Sequence, residues 1–169
     1  MPFAKEHGVK IATENMWNWT RENGLDQAAR AACSHHDDFV AHLDAVNDEF
    51  FTACLDIGHA EMKGLDTSAP EMIRAIGNRL GALHIHDNDR WKDLHQIPFS
   101  GSIDWAEVIK ALKDVDYKGE FTLEADNYLH AFNAENIEVG IKNLADSARA
   151  LVDSLKRDFK GDLICLTAK

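Results

Sequence analysis

Thr52-Ala53-Cys54-Leu55-Asp56-Ile57-Gly58-His59 is a short apolar run that stops on a carboxylate, with a glycine and a histidine directly after it. Three other stretches follow the same plan: Lys10-Ile11-Ala12-Thr13-Glu14, Ala82-Leu83-His84-Ile85-His86-Asp87 and Phe121-Thr122-Leu123-Glu124. Runs this short and this apolar read as strands of a parallel sheet buried on both faces. In each, the polar group falls where the strand would end. Carboxylate and imidazole groups gathered at one edge of a sheet make a divalent-metal site. The pattern therefore points to an enzyme.

The segments between these runs have helical character. Ser34 can cap a helix over 35–47, with Phe39, Val40, Leu43 and Val46 at helical spacing. Ser68 with Glu71 three residues later resembles a capping box, ahead of a stripe of Met72, Ile73, Ile76 and Leu80. Asp104 precedes a helix carrying Val108, Ile109 and Leu112. Asn133 is expected to cap a last helix over about 134–158, with Ile137, Ile141, Leu144, Ala148 and Leu151 on one face. Residues 15–34 are polar and carry the turn signal Asn23-Gly24, and 87–102 read as a long polar loop. The apolar tail 162–167 has no evident place. Strands at 9–14, 50–56, 81–86 and 120–124 thus alternate with helices, which implies a parallel α/β sheet of four strand–helix units. In such sheets the active site lies at the carboxyl ends of the strands, where all four polar groups fall.

The chain has 169 residues, 45% of them hydrophobic, and a net charge of −11. This is enough for one domain, 1–169, with its own core. No cluster of Lys and Arg offers a surface for nucleic acid or an anionic membrane, and no apolar stretch approaches the roughly 20 residues that span a bilayer. Met1-Pro2-Phe3-Ala4-Lys5-Glu6 lacks the apolar centre of a signal peptide. Cys33, Cys54 and Cys165 form no CxxC pair, so a zinc–cysteine site is not expected and a cytoplasmic setting is.

"ATENMW" with Glu14, "CLDIGH" with Asp56 and His59, "LHIHDNDR" with His84 and Asp87, "HQIPFSGSIDW", and "FTLEAD" with Glu124 occur in this order. Together they resemble the second half of the xylose isomerase-like TIM barrels, in the sugar-phosphate isomerase/epimerase branch, a group related to endonuclease IV. The resemblance implies a (β/α)4 half of a TIM barrel. It implies one divalent metal, manganese first, with cobalt, magnesium or zinc as alternatives, held by Glu14, Asp56, His84 and Glu124. It also implies that Glu14 and Glu124 act as the acid/base pair, that His59 contacts substrate, and that Arg90 touches a substrate hydroxyl or phosphate. The family has about eight strands and this chain supplies four. It is then a natural half-barrel, a truncated product or the product of a split gene, and two copies pairing about a two-fold axis would cover its open sheet edges.

Other readings of the same residues stand beside these. Asp56-Ile57-Gly58 also suits an Asx-type turn. Of the two histidines of this run, His84 is expected to face the interior and His86 the outer helices or the rim. Asp126 shares the face of Glu124 and competes with it as a ligand. His95, in a loop beside Asp93, and Trp17, just past a strand end, are candidate substrate contacts, as are Trp19 and Trp91. His7, His35, His36, His42 and His130 have no expected chemical role. The function expected is a metal-dependent isomerase or epimerase acting on a sugar or sugar phosphate by proton transfer next to a carbonyl. The alternatives are a metal-dependent phosphodiesterase of the endonuclease IV type, to which Asp93-Leu94-His95 offers a D-x-H spacing for a further zinc, and a half-barrel without catalysis.

Overall fold

Ala53, Leu55 and Leu83 have no exposed surface, and Ile85 has 1%. They define the covered face of a four-stranded sheet. In the computed structural model, which describes residues 1–22 and 25–157, the sheet consists of β1 (Ile11–Glu14), β4 (Phe51–Asp56), β5 (Leu80–Ile85) and β6 (Glu120–Leu123), in the order β1-β4-β5-β6. Every neighbouring pair is parallel. Helices α2 (His36–Val46), α4 (Ala69–Ile76), α5 (Trp105–Asp114) and α7 (Ile137–Lys156) join the strands and lie in contact with one another or with the sheet. Phe39, Leu43, Met72, Ile73, Ile76, Val108, Leu112 and Leu151 meet Leu55, Leu83 and Ile85 in one apolar core. The alternation of strand and helix is thus the expected half of a TIM barrel. Among the described residues no helix is long and apolar enough to cross a membrane.

The opposite face of the sheet carries small and polar side chains. Partners across a parallel pair share a face, so Glu14, Cys54, Ala82 and Glu120 form one row, and Asp56, His84 and Thr122 form the next. One irregularity produces this alignment. Ala53 pairs with Leu80 but Cys54 pairs with Ala82, so Gly81 is an extra residue in β5. A Cβ on Gly81 would lie 2.4 Å from Thr52 Oγ1, and that hydroxyl is held by a 2.6 Å bond to the Arg79 carbonyl. Only glycine fits the bulge, and without the bulge His84 would not stand beside Asp56.

Local sequence explains the helix starts. Asp104 accepts from the N–H groups of Ala106 and Glu107, and Ser68 from that of Glu71, as expected of caps. Ser34 does not cap α2: His35 stands at the N-cap and accepts from the Asp37 N–H, while Ser34 Oγ bonds to Ala31. Three further features depart from expectation. Residues 17–30 are not a simple polar loop: β2 (Trp17–Glu22) and β3 (Leu25–Arg30) form an antiparallel hairpin, whose turn at Asn23-Gly24 lies outside the described residues. Trp17 packs there on Ala28, Met62 and Leu65, a small second core. Asn133 does not cap the last helix: Asn136 stands at the N-cap position without a side-chain cap bond, and the two asparagines bond within the preceding turn (Asn133 N–H to Asn136 Oδ1, Glu135 N–H to Asn133 Oδ1). Its packed face runs through Gly140, Ser147 and Leu151, and Ile141 is 53% exposed. A short α1 (Pro2–Glu6) precedes the first strand. The tail 162–167 lies outside the described residues.

The bulge gives a direct test. Gly81→Ala forces Thr52 or the strand to move and is expected to cost about 1–3 kcal/mol in urea denaturation. A variant as stable as the parent would show that the register does not depend on this glycine.

Candidate metal centre

Glu14 ends β1, Asp56 ends β4, His84 is the penultimate residue of β5, and Glu124 directly follows β6. One ligand atom from each lies within 4.8 Å of the others. His84 Nδ1 is 3.0 Å from Glu14 Oε1 and 2.8 Å from Glu124 Oε2. Its one proton serves Glu14, and Glu124 Oε2 is buried without a hydrogen-bond partner. Asp126, the rival of Glu124, is 74% exposed at its side chain and stands outside this group, 3.4 Å from His95 Nδ1.

Asp56 has no exposed surface. Asn15 clamps its backbone from both sides: Asp56 N–H donates to Asn15 Oδ1 (2.7 Å) and Asn15 Nδ2 donates to the Asp56 carbonyl (3.0 Å). Asp56 also caps the single-turn helix α3 (Ile57–Ala60), since its Oδ1 accepts the His59 N–H at 2.7 Å. His86 Nε2 approaches the same oxygen at 3.1 Å. Oδ2 is buried and has no partner. The turn reading and the ligand reading of Asp56 thus each use a different oxygen. Burying a carboxylate oxygen without a partner is costly, and Asp56 Oδ2 is such an oxygen, on a residue that belongs to one group of three carboxylates and an imidazole. Such a donor set suits a hard or borderline divalent cation. Cys54 lies in the row of Glu14, and its pKa is pushed up to about 12, first by burial and then by the charges of Glu14, Asp56 and Glu124. It is a neutral thiol and supplies no thiolate.

A second group adjoins the first. His59, His86, Asp93 and His95 also offer ligand atoms within 4.8 Å of one another. His59 Nδ1 lies 3.0 Å from the Asn15 carbonyl and Nε2 lies 3.1 Å from Asp93 Oδ2. His95 repeats the arrangement, with Nδ1 2.9 Å from the Glu124 carbonyl and Nε2 3.3 Å from Asp93 Oδ2. A carbonyl only accepts, so both Nδ1 atoms carry protons. Each Nε2 then faces a carboxylate oxygen and needs a second proton or a cation between them. Burial pulls the pKa of His59 down, but the Asp93 hydrogen bond and the Asp56 charge outweigh it and raise it to about 9. Burial likewise pushes Asp93 up, and His59 overrides it to hold the carboxyl at about 2. Trp17 Nε1–H donates to Asp93 Oδ2 at 3.2 Å and joins the same wall.

The 87–102 loop brings Asp93 and His95 to this place. Asp87, fully buried, exchanges backbone bonds with Gln96, and its carboxylate accepts from Asn88 N–H, Ile103 N–H and Trp105 Nε1–H. Arg90 pairs with Glu61: its guanidinium holds the Glu61 carbonyl and carboxylate, each at 3.3 Å, beyond the end of α3. Trp19 and Trp91 are exposed, and Lys63 stands over the Trp91 ring at 4.2 Å. The expected divergence of His84 and His86 does not occur: residues two apart in an extended chain share a face, and His86, just past the end of β5, lies with its Nε2 3.1 Å from Asp56, the cross-strand neighbour of His84.

The description "Xylose isomerase-like TIM barrel" matches residues 1–157. The chain belongs to this family. A D-psicose 3-epimerase of Enterocloster bolteae is 30% identical over 131 residues, which are 78% of this chain and 39% of that protein. The uncharacterized protein y4fM of Sinorhizobium fredii is 30% identical over 151 residues, 85% of this chain and 44% of that one. The chain therefore spans less than half the length of these curated relatives. A crystal structure of IolI protein with a binding zinc atom superposes with a TM-score of 0.70 at 18% identity, covering 91% of this chain and 52% of that chain. This likeness is one of fold, with the xylose isomerase-like strands in common. Asn15 is a site feature that reading the sequence did not single out, and His86, expected at the outer helices or the rim, joins the site through Asp56. The one available signal for Asn15 was a buried-type amide directly after a strand-end carboxylate.

Two measurements follow from this geometry. Mn2+ at about 100 times its Kd is expected to stabilise the protein by about 2.7 kcal/mol, and Asp56→Asn to remove the effect; a variant stabilised equally would contradict the ligand assignment. In metal-free protein the raised His59 pKa gives stability that is complete below pH 6.5 and lost as pH rises through about 9. The melting temperature should fall across that interval in the parent and much less in Asp93→Asn; parallel curves would contradict the pairing.

Proposed function

We propose that this chain carries the metal centre and the acid/base pair of a sugar or sugar-phosphate isomerase or epimerase. The observation that supports this most is the convergence of Glu14, Asp56, His84 and Glu124 at the carboxyl edge of the sheet, with Asp56 Oδ2 buried and unpaired. The names of relatives point the same way: one is a D-psicose 3-epimerase and another an L-ribulose 3-epimerase of Methylomonas. Glu14, Asp56, His84 and Glu124 would hold the ion, manganese by preference, with cobalt, magnesium or zinc suited to the same donors. When bound, a divalent ion polarises a substrate carbonyl and stabilises negative charge on its oxygen.

The chain's own groups do the proton work. Glu14 and Glu124 lie on opposite sides of His84, which approaches each within 3.0 Å. A sugar seated between them presents the hydrogen on the carbon next to its carbonyl to one carboxylate. The other carboxylate returns a proton to the opposite face or to the neighbouring atom. Each general acid/base contribution is typically worth about 10²–10⁴-fold in rate. His59, His95 and Trp17, tied together through Asp93, form the wall beside this space, and Arg90 offers a half-exposed guanidinium for a hydroxyl or phosphate further out.

The four strands 1–169 act as one domain in this reading, and a second half-barrel completes the pocket. A second copy of the chain is the simplest candidate, because β1 and β6 each have one edge unpaired among the described residues. The free thiols of Cys33 and Cys54 suit a reducing, cytoplasmic setting.

One observation favours a second reading, phosphodiester hydrolysis by a multi-metal centre: the His59, His86, Asp93 and His95 group can take another cation beside the first. The net charge of −11 counts against a nucleic-acid substrate. One assay separates the readings. With Mn2+ and the assembled protein, D-psicose in deuterated water should gain deuterium next to its carbonyl. Glu14→Gln and Glu124→Gln should each lower that exchange by at least about 10²-fold. Absence of exchange, with chelator-sensitive cleavage of abasic-site DNA instead, would replace the first reading by the second.

A further inference from the structure

His86 has no exposed surface, and its surroundings are built around a ring at this position. The ring stacks on His95, with centroids 4.2 Å apart and planes within 6°. On another side stands Gly58, where a Cβ would lie 1.9 Å from His86 Cε1, so no larger residue fits while the ring is in place. Nε2 lies 3.1 Å from Asp56 Oδ1, with Asp93 Oδ1 further off at 3.5 Å. The carboxylate can only accept here, so Nε2 carries the proton. Nδ1 is buried without a partner. For bare packing this is a poor choice, because an unpaired buried nitrogen carries a desolvation cost that an apolar side chain would avoid. Among the described residues the ring's one hydrogen bond is its donation to Asp56.

We infer that His86 is a positioning residue for the metal centre: its Nε2–H, together with the His59 N–H, occupies Asp56 Oδ1 and turns Oδ2 alone toward Glu14, His84 and Glu124. The inference rests on the metal-centre reading. With two donors on Oδ1, the carboxylate cannot rotate about its bond without breaking both. It is pre-set to bind through one oxygen, and the ordering of that side chain is complete before the cation arrives. Groups that hold a ligating side chain in this way are typically worth about 10–100-fold in metal affinity.

The test is a Mn2+ titration followed by the electron paramagnetic resonance signal of free ion, with melting of the metal-free proteins alongside. His86→Leu, which fills the space without a donor, should weaken Mn2+ binding by about 10–100-fold while melting no lower than the parent. His86→Gln, which carries an N–H at similar reach, should keep most of the affinity. Gly58→Ala, which displaces the ring and leaves Asp56 itself unchanged, should lose affinity as His86→Leu does, and it decides the matter if His86→Leu does not fold. Parent-like Mn2+ binding in His86→Leu, or an equal loss in His86→Gln, overturns the inference. A parent protein that binds no Mn2+ overturns the metal-centre reading itself, and that result is distinct from either of these.

Discussion

The carboxylate of Asp56 is divided between two tasks, and the rest of the site is arranged around that division. Oδ1 is bound into the protein by the His59 N–H and by His86, while Oδ2 is buried and bare. Burying an ionised group without compensation costs several kcal/mol. Asp56 is wholly buried and belongs to one group with two glutamates and a histidine, a donor set suited to a positive charge among them. The Asn15 clamp on the Asp56 backbone fixes the strand end from which the side chain is presented.

The scaffold divides the same way. One face of the sheet is apolar and covered by helices, and the other carries Ala82, Cys54 and Thr122 between the acidic groups. Small side chains on that face leave room for what lies over it, whether substrate or a second half-barrel. The bulge at Gly81 matters beyond β5, because it shifts the pairing by one residue and puts His84 in the row of Asp56. A register error of one residue would turn the imidazole to the helix side, and the donor set would then be entirely carboxylate.

Much of this could be read from the chain itself. Glu14, Asp56, His84 and Glu124 each close an apolar run, and strand polarity alone sends their side chains to one edge. The helices around the sheet follow from apolar spacing and from caps such as Ser68 and Asp104. What escaped the reading depends on long-range contacts. Trp17 and Ala28 belong to a hairpin stabilised by Met62 and Leu65, which are more than 30 residues away in sequence. His86 shares the side of His84, as residues two apart do, but only the fold shows that its partner there is Asp56. Asn133 does not cap the last helix because it and Asn136 are engaged in a turn of their own. Asp93 acquires its importance only when the loop closed by Asp87 and Gln96 folds it back between His59 and His95.

Family membership, sheet topology and the ligand geometry lead to one physical claim: a single cation completes the charge and hydrogen-bond balance at the strand ends. Anomalous diffraction from crystals soaked in Mn2+ tests it most directly. The account predicts one strong peak within coordinating distance of Asp56 Oδ2, both glutamates and His84, with Asp56 Oδ1 still held by His86. A fully occupied peak elsewhere, with Asp56 Oδ2 bonded to water or to another side chain, would contradict it.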